Sequence, residues 1–361
     1  MRHFRTSLAA LLVLAVAVSL LGCAKTVPQA GPQPPARQPA QPGSALTPLN
    51  PVVQVRVGMK GTPSDSGVLI GMAKGYYKDL GIEIVPTSFR SGQELVNLLA
   101  AGQLDVGMTV SDAGFFNAIL RGVDLKVVAD KGYNLPDKGY YRLAIRRDLA
   151  EQIKDYKDLK GRKLAVVGEA SMDYVFLLRV LAKGGLTDKD VDIQVIRSFP
   201  DMVTALANKA VDGALIIEPF VTQGEDKGVL VAWKEPVDYA PDEQVAVVAF
   251  GEKMLKNPDL AHRFMVAYLK SIREYNNAFI KGQGLDDVVG LLTQVSTIKD
   301  AALLKKMRPA GINPNGYVNI AGMQYDLDYY AKAALLKGEI NLKNVVDNQY
   351  VDFALKQLGQ Y

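Results

Sequence analysis

Leu95-Val96-Asn97-Leu98-Leu99-Ala100, followed by Leu104-Asp105, returns later in the chain as Met202-Val203-Thr204-Ala205-Leu206-Ala207, followed by Val211-Asp212. The offset is 107 positions throughout. Each copy reads as an amphipathic helix, a turn, an aspartate and the start of an apolar run, so the chain contains two similar α/β units. Two amphipathic helices can match by chance, and the surroundings decide the matter. The same offset sets Ser64 opposite Ser171 and Ser111 opposite Glu218, which brings the loops at corresponding strand ends into register.

Outward from these copies, short β-rich runs bounded by glycine or polar turns alternate with segments of helical length, the pattern of strand-helix-strand units. Residues 52–58, 82–86, 105–110 and 125–129 read as strands of a first series, with helices over 68–77, 94–101 and 114–121. A second series has strands at 163–167, 192–196, 213–217 and 229–233, and helices around 174–183, 202–208 and 221–226. After Pro241 the apolar run Gln244 to Phe250 precedes a mostly helical remainder with breakers at Asn257-Pro258, Gly282 to Gly284 and Arg308 to Tyr317. That remainder has too few strands for a third sheet. The expected fold is therefore α/β and two-lobed, each lobe a mostly parallel sheet flanked by helices. Lobe 1 takes residues 52–135, lobe 2 residues 136–240, and residues 241–361 return to lobe 1. Two crossings, near Tyr133 to Ile145 and Val237 to Phe250, form a hinge.

The start, Met1-Arg2-His3-Phe4-Arg5, is basic and runs into the apolar stretch Leu8 to Leu21, long enough for the core of an export signal and short for a spanning helix. It closes with Leu20-Leu21-Gly22-Cys23, the order in which lipoprotein signals precede a lipidated cysteine, although Leu21 is bulkier than the usual residue. Residues 1–22 thus read as a lipoprotein signal peptide, and 23–51 as lipidated Cys23 plus a Pro-rich tether whose composition buries no core. The expected location is outside the cytoplasm, on a membrane face or in the periplasm.

Composition narrows the chemistry. Cys23 is the sole cysteine and His262 the sole histidine after the signal, so a zinc site or a histidine triad is hard to assemble. His262, within a helical stretch, reads as a packing or surface residue. The formal charge of +4 falls to about +2 without Arg2 and Arg5, and acids and bases are interspersed, which makes nucleic acid an unsuitable partner. No cofactor and no metal is expected.

Val55-Arg56-Val57-Gly58, Ala73-Lys74-Gly75-Tyr76-Tyr77-Lys78-Asp79-Leu80-Gly81-Ile82-Glu83-Ile84, Ser91-Gly92 to Gly107, Arg121 to Ala129, Asp158 to Val166 and Glu218-Pro219-Phe220 together resemble the type II periplasmic-binding-protein-like proteins of the nitrate, sulfonate and thiamine-precursor group (SsuA/THI5-like, NMT1-like). The resemblance covers nearly the whole chain after the tether. It implies a monomeric solute-binding component of an ABC importer, with a small-molecule ligand, the permease subunits and the membrane lipid anchor as partners. Most matching positions have structural work: Gly75, Gly81 and Gly102 suit left-handed helix ends, and Asp105 and Asp212 read as turn residues rather than ligands.

In open α/β sheets ligands lie beyond the carboxyl ends of the strands. The loops there offer Thr62, Ser64, Asp65, Ser91, Gly92, Ser111, Asp112 and Tyr133 from lobe 1, and Ser171, Met172, Asp173 and Glu218 from lobe 2, as ligand-binding residues. Serine, threonine and aspartate also cap helices whatever the function. An acid facing the cleft favours a ligand that donates hydrogen bonds, and Tyr133 and Tyr174 could stack on a ring, whereas Phe115 and Phe116 read as core. These features lean toward a nitrogen heterocycle such as a pyrimidine or flavin-like precursor, with a sulfonate or carboxylate as the rival. Pyrimidine-forming enzymes of the same resemblance carry a cysteine-rich motif and histidines absent here. An enzyme on this fold and a ligand-sensing lipoprotein stay as alternatives to the binding protein.

Overall fold

The computed structural model describes residues 46–361 except 90 and 242. The expected export signal, Cys23 and the expected tether through residue 45 lie outside the described residues. The strands are Val53–Gly58 (β1), Ile82–Thr87 (β2), Val106–Val110 (β3), Lys126–Tyr133 (β4), Arg142–Arg146 (β5), Lys163–Val166 (β6), Asp192–Val195 (β7), Gly213–Ile216 (β8), Leu230–Ala232 (β9) and Gln244–Phe250 (β10). Six helices accompany the strand series: Ser66–Ala73 (α1), Gly92–Ala100 (α2), Ala113–Leu120 (α3), Met172–Lys183 (α4), Phe199–Ala207 (α5) and Phe220–Asp226 (α6). Pro236–Tyr239 (α7), Glu252–Leu255 (α8), Pro258–Phe279 (α9), Leu285–Val295 (α10), Ala301–Lys306 (α11), Ile320–Lys332 (α12), Leu342–Val345 (α13) and Gln349–Leu358 (α14) follow.

Two five-stranded sheets form, in the orders β2-β1-β3-β10-β4 and β7-β6-β8-β5-β9. They have one topology, and the sequence offset of 107 holds in their register. Arg56 pairs with Val85 as Lys163 pairs with Asp192, and Val57 pairs with Val106 as Leu164 pairs with Gly213. Arg56 N–H donates to Asp105 Oδ2 at 2.8 Å, and Lys163 N–H donates to Asp212 Oδ2 at 3.0 Å. Even the left-handed turn recurs, at Gly102 (φ +63°) and at Lys209 (φ +59°). Asp105 and Asp212 therefore clip neighbouring strands together.

Each sheet is parallel except for one strand delivered by a crossing. β10 lies antiparallel between β3 and β4, and β5 lies antiparallel between β8 and β9. The crossings are consequently narrower than the sequence suggests, because Arg142–Arg146 is already sheet 2 and Gln244–Phe250 already sheet 1. β10 is buried along its whole length, which explains its unbroken apolar sequence.

Helices α1, α9, α10 and α14 cover one face of sheet 1, and α2, α3 and α12 the other. In lobe 2, α4 packs on one face and α5 and α6 on the other. The C-terminal helices return to lobe 1. Helix α9 starts on Asn257, whose side chain accepts from Leu260 N–H at 3.2 Å, with Pro258 in its first turn. His262 stacks on Phe353 with ring centroids 4.1 Å apart, a packing role. Leu49 is buried against lobe 1, its N–H donating to Leu80 O at 3.1 Å.

Candidate functional site

The loops at the carboxyl ends of both sheets face one another. The loop after β1 turns at Thr62 and enters α1 through a capping arrangement in which Thr62 N–H and Oγ1 reach Asp65 Oδ2 at 3.0 and 3.1 Å. Lys131, near the end of β4, is buried beside it. Its Nζ donates to Ser64 Oγ at 2.8 Å and pairs with Asp65 Oδ1 at 3.1 Å. Burial pulls this ammonium down, but Asp65 and Tyr140 outweigh burial and hold it above the ordinary lysine value. Ser64 Oγ also shares a hydrogen with Tyr140 Oη at 3.0 Å. A charged, dry anchor thus fixes the hydroxyls of Thr62, Ser64 and Tyr140 along one wall.

Asp112 caps α3 by accepting from Phe115 N–H at 2.9 Å, and burial, opposed by that bond and one from Gly114, pushes its carboxyl up to about 6. In lobe 2 Asp173 accepts from Val167 N–H at 2.5 Å and from Ser171 Oγ, and burial again lifts it to about 6. Tyr141, buried in the first crossing, feels both Asp112 and Asp173, so the N-termini of α3 and α4 approach it from opposite lobes. Ser111 is fully buried and its Oγ has no hydrogen-bond partner. Buried hydroxyls are ordinarily paired, and Ser111 sits directly after β3 at the N-terminus of α3, among the facing loops.

Thr62, Ser64, Gly139, Tyr140, Glu218 and Arg308 line a pocket between the lobes whose other wall is apolar, from Ile217, Tyr275, Phe279, Leu304, Met307 and Pro309. Its volume is about 40 Å³, far below the roughly 300–1,000 Å³ of a small-molecule site. The lobes are therefore closed on each other, and an organic ligand requires them apart. Glu218 Oε2 accepts from Thr222 N–H at 3.1 Å and Oε1 from Arg308 N–H at 3.3 Å.

Of the residues expected from sequence, Thr62, Ser64 and Glu218 line this pocket, and Asp65 supports it through Lys131. Ser111, Asp112, Ser171 and Asp173 sit at the facing helix ends. Gly92 lies against Asp112, with a methyl at its Cα placed 3.1 Å from Asp112 Oδ2. Ser91 caps α2 by accepting from Glu94 N–H at 3.2 Å. Met172 is buried in the core of lobe 2, because the first turn of α4 points that side chain inward. Tyr133 ends β4 and bridges to Gly311, its N–H donating to Gly311 O at 2.9 Å. Tyr174 Oη donates to Asp188 at 3.1 Å and its ring lies against Tyr329. Phe115 and Phe116 are core. Sequence reasoning missed Tyr140, Arg308 and the apolar wall, which come from the crossing and the C-terminal helices. Among the described residues no group of three or more His, Cys, Asp or Glu could hold a metal ion, and no helix is long and apolar enough to cross a membrane.

The family model described as NMT1/THI5 like matches residues 62–277. The chain belongs to the NMT1/THI5-like family. A putative aliphatic sulfonates-binding protein of Bacillus subtilis is 26% identical over 84% of this chain and 89% of its own length. Among solved structures, a ligand-binding component of an ABC-type import system from Staphylococcus aureus, with zinc bound, superposes with a TM-score of 0.68 at 16% identity, covering 84% of this chain and 99% of that one. The alkanesulfonate-binding protein of Xanthomonas axonopodis, bound to MOPS, gives 0.62 at 19% identity, covering 82% and 98%. An enzyme is also similar over part of the chain: the 4-amino-5-hydroxymethyl-2-methylpyrimidine phosphate synthase of Schizosaccharomyces pombe is 25% identical over 44% of this chain and 42% of its own length. The solved structures share the two-lobed α/β fold found here.

Proposed function

We propose that the chain is the extracytoplasmic solute-binding lipoprotein of an ABC importer, monomeric and anchored through Cys23, which captures a small organic ligand between its lobes and presents it to the permease. The observation that carries this reading is the closed interlobe pocket, with hydroxyls of Thr62, Ser64 and Tyr140 on one wall and an apolar wall opposite. A ligand with a polar end and a ring or aliphatic body fits such a pair of walls. Nitrogen heterocycles are the first class to test and sulfonates or carboxylates the second, sulfonates being what similar binding proteins are described as binding. Closing around the ligand would bias an existing open-closed equilibrium toward the form a permease reads.

Calorimetric titration of compounds from both classes tests the assignment, with Ser111→Ala and Glu218→Ala beside the unchanged chain. Ser111→Ala should weaken binding about tenfold, the loss of one to two hydrogen bonds, and should leave the melting temperature unchanged because its hydroxyl has no partner to lose. Glu218→Ala should weaken binding by a similar factor. Unchanged affinity in both variants removes these loops from the site.

The second reading, an enzyme on the same fold, is favoured by the match to the pyrimidine phosphate synthase. It would have to work with carboxylates, lysines and tyrosines, since His262 is stacked in packing and Cys23 precedes the lobes.

A further inference from the structure

Residues 301–310 belong to lobe 1, where Leu304 and Met307 are buried with Tyr275 and Ile312 in its core. Their charged side chains nevertheless reach across the cleft to helix α6 of lobe 2. Arg308 Nη1 lies 2.8 Å from Glu225 Oε2 and Nη2 lies 3.3 Å from Oε1, a bidentate pair. The same guanidinium stands 3.8 Å from Glu218, and Arg308 N–H donates to Glu218 Oε1. Two residues earlier, Lys306 pairs with Asp226. Two carboxylates of α6, Glu225 and Asp226, and Glu218 just before it therefore meet two cations from the other lobe. Glu225 is held below the usual carboxylate range, where the Arg308 bond and the backbone bond from Ala232 outweigh burial.

We propose that Arg308, assisted by Lys306, is an ionic latch that holds the lobes closed through α6, so that part of the closing free energy comes from the protein's own charges rather than from the ligand. The inference rests on the reading of the two sheets as lobes that open and close. The half-buried, bidentate Arg308–Glu225 pair carries most of the effect, since exposed pairs such as Lys306–Asp226 contribute little. Separation of the lobes exposes all these charges to water and salt, so the latch weakens as ionic strength rises and the screening length shortens.

The test uses residues 24–361, which keep every described residue, in small-angle X-ray scattering and calorimetry at about 50 and 500 mM salt, where the screening length falls about threefold. The probe is whichever compound the panel titration shows to bind. The unchanged chain should be compact at low salt, expand at high salt and bind about fivefold more weakly there. Arg308→Gln with Lys306→Gln should be expanded at both salts and bind with no salt dependence, and exchanging the charges in Arg308→Glu with Glu225→Arg should restore compactness at low salt. Equal compactness and equal salt response in the unchanged and Gln chains would overturn the latch while leaving ligand binding intact. No change of shape with salt, variant or compound, together with no binding, would overturn the two-lobe reading itself.

Discussion

Asp130 shows how one buried side chain can tie the site to the stability of the whole protein. Its carboxylate accepts from Gly132 N–H at 2.8 Å, Gln244 Nε2 at 2.7 Å and Asn313 N–H at 2.6 Å, joining β4, β10 and the C-terminal segment directly beneath Lys131. Burial outweighs those three donors and pushes the carboxyl up to about 7. The folded protein therefore binds this proton more tightly than the unfolded chain, whose aspartate titrates near 4. Between about pH 4 and 7 the folded state holds more protons, so this group's contribution falls as the pH rises through that window and is fully lost above it. The melting temperature should decline over that range. Asp130→Asn should melt lower at every pH, because its amide N–H₂ must face at least one of the donors that the two carboxylate oxygens now share, but with a visibly flatter slope; an unchanged slope would assign the pH dependence to other groups. The network was not legible in the sequence, where Asp130 sits at the end of an apolar run and two of its partners, Gln244 and Asn313, lie more than 100 residues away. The positions of Ser111 and Glu218 were legible, since each stands just beyond a strand end in matching copies of one pattern.

At the scale of elements, the repeat written into the helices of residues 95–100 and 202–207 extends through strand register, aspartate clips and turns. It was readable because local patterns of period 3.6 and 2 survive in both copies. Strand β5 was not readable. The stretch Tyr140-Tyr141-Arg142-Leu143-Ala144-Ile145-Arg146 includes two arginines that suggest a connection. Arg142 is instead buried and paired with Glu235 at 2.6 Å, a contact no local pattern announces. The packing of α1 on α9 gives the clearest element-level prediction. A methyl at Gly67 would come within 2.1 Å of the Tyr268 ring, whose hydroxyl donates to Asp130 O at 2.7 Å. Gly67→Ala should destabilise lobe 1 by about 1–3 kcal/mol, measured by denaturant unfolding. A variant as stable as the parent would show that α1 and α9 can separate without cost, contrary to their close approach.

For the whole molecule, two copies of one sheet exchange a strand through each crossing and shut their carboxyl ends on a nearly filled pocket. Closure places Val175 of α4 in the hydrophobic cluster of lobe 1, so the closed form buries apolar surface as well as pairing charge. The two-lobed plan followed from alternation and repetition, while the pocket's apolar wall depends on where the C-terminal helices return, which chain-local reasoning leaves open. The most direct test of capture without chemistry is to release any small molecule retained by purified residues 24–361, identify it by mass spectrometry, and then incubate it with fresh protein. Recovery of the compound unchanged, bound one to one, is the result expected of a binding protein; its conversion into a product would contradict that reading and make the cleft's carboxylates, Lys131 and Tyr140 the first candidates for catalysis.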